Sequence, residues 1–452
     1  MKFIVRNLGI IKEADIELKG LTVLTGLNDT GKSFLTKSIF SVIKTINESN
    51  TQLKIEQFEQ IQATLTQIYQ LVRPLIPLTP ANQNLLFPAN ITNQIAAIFS
   101  QSNVPGDNNF ILQLLNNYKA GITGLLNPSQ PAPNPTQATQ LRVASTNVDN
   151  LFRVLISKFN QASNEEENCK SYFDKVIVKK FFQAQVSPSG LNIPTSIRIV
   201  ENDNELLNIA ISANVVQSFK LNDIINFKEA TLIETPTILQ LAKFINTTLV
   251  LQGSPFNRRM VQQRAELPYH IYDLIEKLYL STPVSTNERF TEIYNRISSI
   301  ISGKVIFEPS ELNFSYVKSN SNQKIKPFNI ATGIKSFGII QLLLNSGAIS
   351  PNSILIVDEP EVHEHPKWEV EYAKIIVELS RNGIPIIVSS HSPYFIEALA
   401  RFQDANITRF YYGEKDEAGY SKFEDVSRNL NPIFKKLAEP FQNLAFQSSE
   451  NV

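Results

Sequence analysis

LTVLTGLNDTGKSF, residues 21–34, decides how this chain is read. Leu21 to Thr25 is an apolar, β-rich run that stops at Gly26. From Lys32 to Asn47, Phe34, Ile39, Phe40 and Ile43 fall on one helical face. Strand, glycine loop, helix is the setting that the pattern G-x-x-x-x-G-K-S requires. Gly26 and Gly31 let the backbone curl, so that N–H groups of the loop, through Asn28, Asp29, Thr30 and Gly31, point inward at phosphate oxygens. The N-terminus of the next helix adds partial positive charge. Lys32 would reach the β- and γ-phosphates of a nucleotide, and Ser33 would offer its hydroxyl to Mg²⁺.

Two more apolar runs end in chemistry-bearing residues. SILIVDEPE, residues 353–361, delivers Asp358 and Glu359 to a strand's carboxyl end, where ligands bind in open α/β sheets. There Asp358 would hold Mg²⁺, and Glu359 would orient and deprotonate an attacking water. The bland alternative is a strand end followed by a solvated acidic turn. IPIIVSSHSPYF, residues 384–395, ends a second strand at Ser389, Ser390 and His391, with Pro393 opening a helix. It follows the first at one strand–helix–strand spacing, so both ends should share one edge of the sheet. His391 could then bond the γ-phosphate or the lytic water, or be an ordinary strand-end residue.

Bulk properties bound the rest. The chain has 452 residues, 42% hydrophobic and 19% charged, enough for a sizeable core. Lysine and arginine number 42, as do aspartate and glutamate, and a net charge of zero argues against a general nucleic-acid binder. Cys169 is the single cysteine, so no disulfide or cysteine zinc site forms within the chain, which suits a cytoplasmic protein. The N-terminus has no signal-peptide pattern, and no run is apolar enough to span a membrane.

The expected fold class is α/β, with a mixed or parallel central sheet and a helical insertion. Residues 1–50 carry the glycine loop. Residues 51–168 read as a helical insertion rich in Asn, Gln and Pro, an arm or lid whose apolar residues hold no heptad repeat; SQPAPNPTQATQ, residues 129–140, reads as a loop. Thr51 to Val72 reads as a helix of its own. Residues 169–328 read as β-rich and helical, and residues 329–452 alternate helix and strand. SPFNRRMVQQR, residues 254–264, holds a basic cluster of Arg258, Arg259 and Arg264, either a solvated loop or a DNA contact.

Together the three motifs resemble the ABC-type ATPases of the SMC-like and RecF-like branch. The resemblance implies a P-loop ATPase head that binds ATP and Mg²⁺, with Walker A at Gly26–Ser33, Walker B at Ile354–Glu359 and a switch histidine at His391. It also implies a signature motif acting across an ATP-sandwiched homodimer or higher homo-oligomer. NIATGIKS, residues 329–336, stands at that place: Gly333 and Lys335 match, Ala331 replaces the usual serine, and Thr332 is the candidate to supply the hydroxyl instead. Read without the resemblance, this stretch is a helix N-cap at Thr332. PEVHEHP, residues 360–366, looks like the interface loop that follows Walker B; a metal site at His363, Glu364 and His365 is the alternative. Glu234 stands where a Q-loop glutamine is expected. NLGIIKEADIEL, DEPEVHEHP and SSHSPYF look most like bacterial ATPases related to the OLD family. About fifty residues follow the helix after His391, too few for that family's TOPRIM nuclease domain. The resemblance implies a separate effector chain, a TOPRIM-like or HNH-like nuclease, in phage defence. A RecF-like enzyme acting on DNA and an ATP-binding scaffold with little turnover are the alternatives.

Overall fold

The computed structural model describes residues 1–101, 107–127, 134–159, 164–188, 193–252, 268–281, 288–321 and 323–439. The chain divides into two compact units, Met1–Asn47 with Cys169–Val452, and Glu48–Asn168. It opens with β1 (Lys2–Leu8), β2 (Ile11–Glu17) and β3 (Leu21–Gly26), and then α1 (Lys32–Val72). The helical residues at 32–47 and 51–72 therefore form one helix, not two. The composition changes near Asn50, but no proline or glycine lies between Lys32 and Val72 to stop the backbone.

The smaller unit is helical. It holds the later turns of α1, α2 (Gln83–Leu86), α3 (Pro88–Gln101), α4 (Asp107–Leu126), α5 (Pro135–Phe159) and the start of α6 (Glu165–Tyr172). Its core includes Ile61, Leu65, Ile68 and Val72 of α1, Ile111, Leu115 and Ile122 of α4, and Val148, Phe152 and Leu155 of α5. Spacings of four and three recur along α1, α4 and α5, as in any amphipathic helix packed on one face. Part of the expected loop at 129–140 is also helical: Pro135 opens α5, where the missing N–H of a proline costs nothing.

In the larger unit a π-helical stretch, Phe173–Phe181, follows α6. Then come β4 (Thr195–Glu201), β5 (Asn204–Ser212), β6 (Val215–Leu221), β7 (Glu229–Ile233), α7 (Ile238–Gln252), α8 (Tyr269–Tyr279), α9 (Glu288–Ile300), β8 (Gly303–Glu308), β9 (Asn313–Lys318) and β10 (Lys324–Ile325). The last stretch is α10 (Thr332–Ser346), β11 (Ser353–Asp358), α11 (Pro366–Arg381), β12 (Ile386–Ser390), α12 (Pro393–Phe402), β13 (Thr408–Lys415) and β14 (Ser421–Asp425). Eleven strands form one mixed sheet in the order β6-β5-β4-β1-β2-β14-β13-β3-β12-β11-β7, and β10-β9-β8 form a small antiparallel sheet.

The run β13-β3-β12-β11-β7 is parallel throughout. The other end is mainly antiparallel, because β1–β2 and β4–β5–β6 are joined by tight turns, and such connections pair strands only antiparallel. The parallel strands are apolar on both faces. Leu355 and Val357 enter one buried cluster with Val23, Ile386 and Val388; Ile354 and Ile356 enter another with Leu24 and Ile387. Strand alternation sends neighbouring residues to opposite faces, and each such buried side chain contributes roughly 1.5–3 kcal/mol.

Register then levels the strand ends. Asp358 pairs with Ser389, Ser390 with Thr25, and Val357 with Ile233. The loops after β3, β11, β12 and β7 therefore leave the sheet at one edge.

Candidate functional site

The loop after β3 has the geometry that its glycines suggest. Gly26 and Gly31 have φ of 146° and 86°, and Asp29 has φ of 62°. A Cβ on Gly26 would lie 2.6 Å from the Gly413 carbonyl oxygen, and one on Gly31 2.8 Å from Ile11 Cγ1. Lys32 opens α1 and is buried, and its ammonium donates to the carbonyls of Gly26 and Leu27 at 3.0 Å each. Burial pushes its pKa down, against the opposing pull of Glu359, Asp358 and Glu361.

Asp358, at the end of β11, is buried and accepts from the Ser389 hydroxyl. Ser33 also lies in bonding reach. Burial raises its pKa; the two hydroxyls oppose that, and the charges of Glu234 and Glu359 add to it. Glu359 sits at φ of 49°, a left-handed backbone that costs a non-glycine residue roughly 1–3 kcal/mol. Its N–H is held by the Ser389 carbonyl at 3.0 Å. The strained turn aims the carboxylate at His391, whose Nδ1 lies 3.4 Å from Glu359 Oε1.

A groove of about 720 Å³ runs along this edge. It brings together Asn28, Asp29, Thr30, Gly31, Lys32, Ser33, Glu359 and His391. Gly26 and Asp358 lie behind it, Asp358 beside a small cavity shared with Glu234, Glu359 and Ser336. Most of the groove's remaining walls had no signal in sequence. Gly9 and Ile10 come from the β1–β2 turn, Gln185 and Ser187 from the segment after the π-helical stretch, and Ala418, Gly419 and Tyr420 from the β13–β14 turn. The last of these had a faint signature: Asp416 caps its own turn by accepting from the N–H groups of Ala418 and Tyr420 at 3.0 Å. Ser389, read only as a strand end, is what ties Asp358 to Glu359.

Thr332, Gly333 and Lys335 do not line the groove. They form the first turn of α10, which starts at Thr332 with Ala331 as N-cap and no side-chain cap bond. The reading of Thr332 as a helix cap is thus corrected. Gly333 packs so tightly that a Cβ would lie 2.4 Å from Trp368 and 2.5 Å from Glu364 Oε2. Lys335 is buried, which pushes its pKa down.

The metal alternative at residues 363–365 is not built. His365 Nδ1 accepts from the Lys367 N–H at the start of α11, and Glu364 accepts from Ser336 Oγ at 3.0 Å. Among the described residues no group of three metal ligands gathers there. Glu234 follows the end of β7, bonded to Lys37 Nζ at 2.7 Å and to His270 Nε2 at 2.5 Å. The His270 bond, with Lys37, holds its carboxyl down at about 2 despite burial. Arg258, Arg259 and Arg264 lie outside the described residues.

Residues 192–397 match the protein family described as "AAA domain, putative AbiEii toxin, Type IV TA system". The match takes in Asp358, Glu359 and His391 and leaves out the loop at 26–33. No curated protein matches the chain. Similar solved structures include the SMC head domain from Thermotoga maritima, 12% identical over 94% of this chain and 98% of that one, with a TM-score of 0.39. Another is the Smc head domain with an extended coiled coil bound to the C-terminal domain of ScpA, derived from Pyrococcus furiosus: 9% identical, 97% and 98% covered, TM-score 0.32. By its own strand order the chain has a mixed α/β fold, with a glycine-rich loop and two chemistry-bearing strand ends leaving the parallel strands β3, β11 and β12 at one edge. Among the described residues no helix is long and apolar enough to cross a membrane.

Proposed function

We propose that this chain binds ATP with Mg²⁺ in the groove at Lys32 and hydrolyses it between two copies of itself. One observation carries this reading: Lys32, Ser33, Asp358, Glu359 and His391, from three separate parts of the sequence, converge on one edge of a parallel sheet. The residues fit the ligands. Lys32 rests on two carbonyls of its own loop, contacts that a phosphate would replace, and Gly26 and Gly31 let the loop pack against Gly413 and Ile11 in the left-handed backbone it needs. Ser33 and Asp358 would hold Mg²⁺, which supplies charge neutralisation on the phosphates when bound. Glu359 would take a proton from the attacking water, and His391 would hydrogen-bond that water or the γ-phosphate. Thr332, Gly333 and Lys335 would close the groove of a second copy.

The ATP cycle would control a separate effector, a TOPRIM-like or HNH-like nuclease, in cytoplasmic defence against phage. The resemblance to OLD-related ATPases supports that role, and the matched family's description names a putative toxin of a type IV TA system. Glu359→Gln is expected to bind ATP, stop turnover and hold the assembled form. Its mass in solution with and without ATP, beside its phosphate release, tests this. An unchanged mass together with normal turnover would sink the proposal.

A further inference from the structure

We infer that Glu361 is a positioning residue of this site: its buried carboxylate anchors the turn after β12 and so sets His391 against Glu359. The inference rests on the hydrolytic reading above and adds a group that the three motifs do not contain. Glu361 is 7% exposed, although its sequence context, DEPEVHEHP, reads as a solvated acidic turn. Its Oε1 accepts three bonds, from Ser390 Oγ at 2.8 Å, the His391 N–H at 2.8 Å and the Ser392 N–H at 3.2 Å. Buried carboxylates are costly unless their lone pairs are taken up in this way.

The contacts are reciprocal. The turn after β11 gives its Glu359 N–H to the Ser389 carbonyl, and the turn after β12 gives its two N–H groups to Glu361. Each turn is thereby held by the other, and the residues so fixed are Glu359 and His391. On its far side the β12 turn is tied again, since Ser392 Oγ is bonded to Glu369.

Two atoms distinguish positioning from a plain loop clamp. Glu361 Oε2 is buried with no hydrogen-bond partner, and so is His391 Nδ1. Nδ1 stands 3.4 Å from Oε1 of Glu361 and 3.4 Å from Oε1 of Glu359. Nδ1 thus faces two carboxylate oxygens with its bonding capacity unused, which a plain loop clamp does not require. A small turn of the imidazole gives Nδ1 to either carboxylate. Glu361 therefore governs both where the ring sits and how firmly it leans on Glu359.

The test uses the full chain in four forms: wild type, Glu361→Gln, His391→Ala and the double variant. Glutamine keeps an acceptor for the three donors and removes the charge. Expected for Glu361→Gln is a fall in kcat for ATP of about tenfold to hundredfold, the scale of a misplaced catalytic group, with ATP affinity within about twofold of wild type. In the His391→Ala background the same change should cost less than about twofold, because the group it positions is gone. An equal loss in both backgrounds, or a loss in affinity alone, would overturn the inference. A second readout needs no turnover: amide exchange of nucleotide-free Glu361→Ala. His391 and Ser392 should lose protection while 353–358 keep theirs. Unchanged exchange at 391 and 392 overturns the anchor even if the wild type hydrolyses ATP. A wild type that binds ATP without hydrolysing it overturns the proposed function instead, and the catalytic part of this inference with it.

Discussion

Glu364 makes part of this protein's stability depend on pH, with a sign that can be worked out in advance. Its carboxyl is half buried, accepts from Ser336 Oγ at 3.0 Å and faces Gly333. Burial pushes its pKa from 4.5 to about 7; the Ser336 hydroxyl opposes that and Glu369 adds to it. The folded state thus prefers the neutral acid. The contribution is fully present below the unfolded value of 4.5 and is lost as pH rises through about 7. A shift of this size corresponds to roughly 3 kcal/mol at 1.36 kcal/mol per unit. Because the group keeps a solvent-facing side, screening reduces this to about 1–2 kcal/mol. Glu364→Gln mimics the neutral form and still accepts from Ser336. It should match wild type near pH 5 and melt about 2–4 °C higher at pH 8. Glu369 is also pushed up by burial, so the quantity to measure is the difference between the two melting curves across pH, in which other titrating groups cancel. Curves for Glu364→Gln and wild type that run parallel from pH 5 to 8 would refute the argument.

Lys32→Ala should weaken ATP binding by at least about tenfold, the value of one charge-assisted hydrogen bond; calorimetry showing unchanged affinity would remove the basis for a nucleotide site. Gly338→Ala, in α10, sets a gain of about 1 kcal/mol in helix propensity against a Cβ placed 2.3 Å from Val305 Cγ2. Overpacking costs about 1–3 kcal/mol, so a net loss in melting temperature is expected, and a rise would contradict it. Thr332→Val should leave ATP binding by the single chain intact and reduce ATP-dependent assembly of Glu359→Gln; equal assembly by sedimentation would take Thr332 out of the interface.

The edge that carries the candidate site was legible because buried parallel strands write themselves as unbroken apolar runs. LTVLT, SILIVD and IIVSS each end where a polar residue appears, and the pairings Asp358–Ser389 and Ser390–Thr25 follow from such runs lying side by side. What stayed hidden depends on contacts distant in sequence. Nothing in FFQAQVSPS shows that Gln185 and Ser187 reach the groove. They do so through left-handed Gln183 and Ala184, and through Asn214 Oδ1, which accepts from the N–H groups of Val186 and Ser187. β14 gives no sign in sequence that it pairs with β2, roughly four hundred residues away. The composition change near Asn50 lies within a few residues of the division between the two units at Asn47 and Glu48, but α1 runs on through it, because nothing in the backbone required a break.

The signature stretch shows how a motif match and its cause can differ. Gly333 and Lys335 fit the pattern of a motif that acts across chains, yet each has a reason within its own chain. A side chain at Gly333 would collide with Trp368 and Glu364, and Lys335 is buried in the first turn of α10. Their fit to the pattern is therefore no measure of an interface, since packing alone would keep both. Thr332 is different. It is half buried, caps no helix, and among the described residues no hydrogen bond takes up its hydroxyl. The same turn is tied through Ser336 to Glu364, and Glu364 shares the 359–365 loop with Glu359 and Glu361. One short loop thus holds the first turn of α10 at one end and the His391 turn at the other. The loop is not the sole link, since Gly333 also packs on Trp368 of α11, the helix whose Glu369 accepts from the Ser392 hydroxyl.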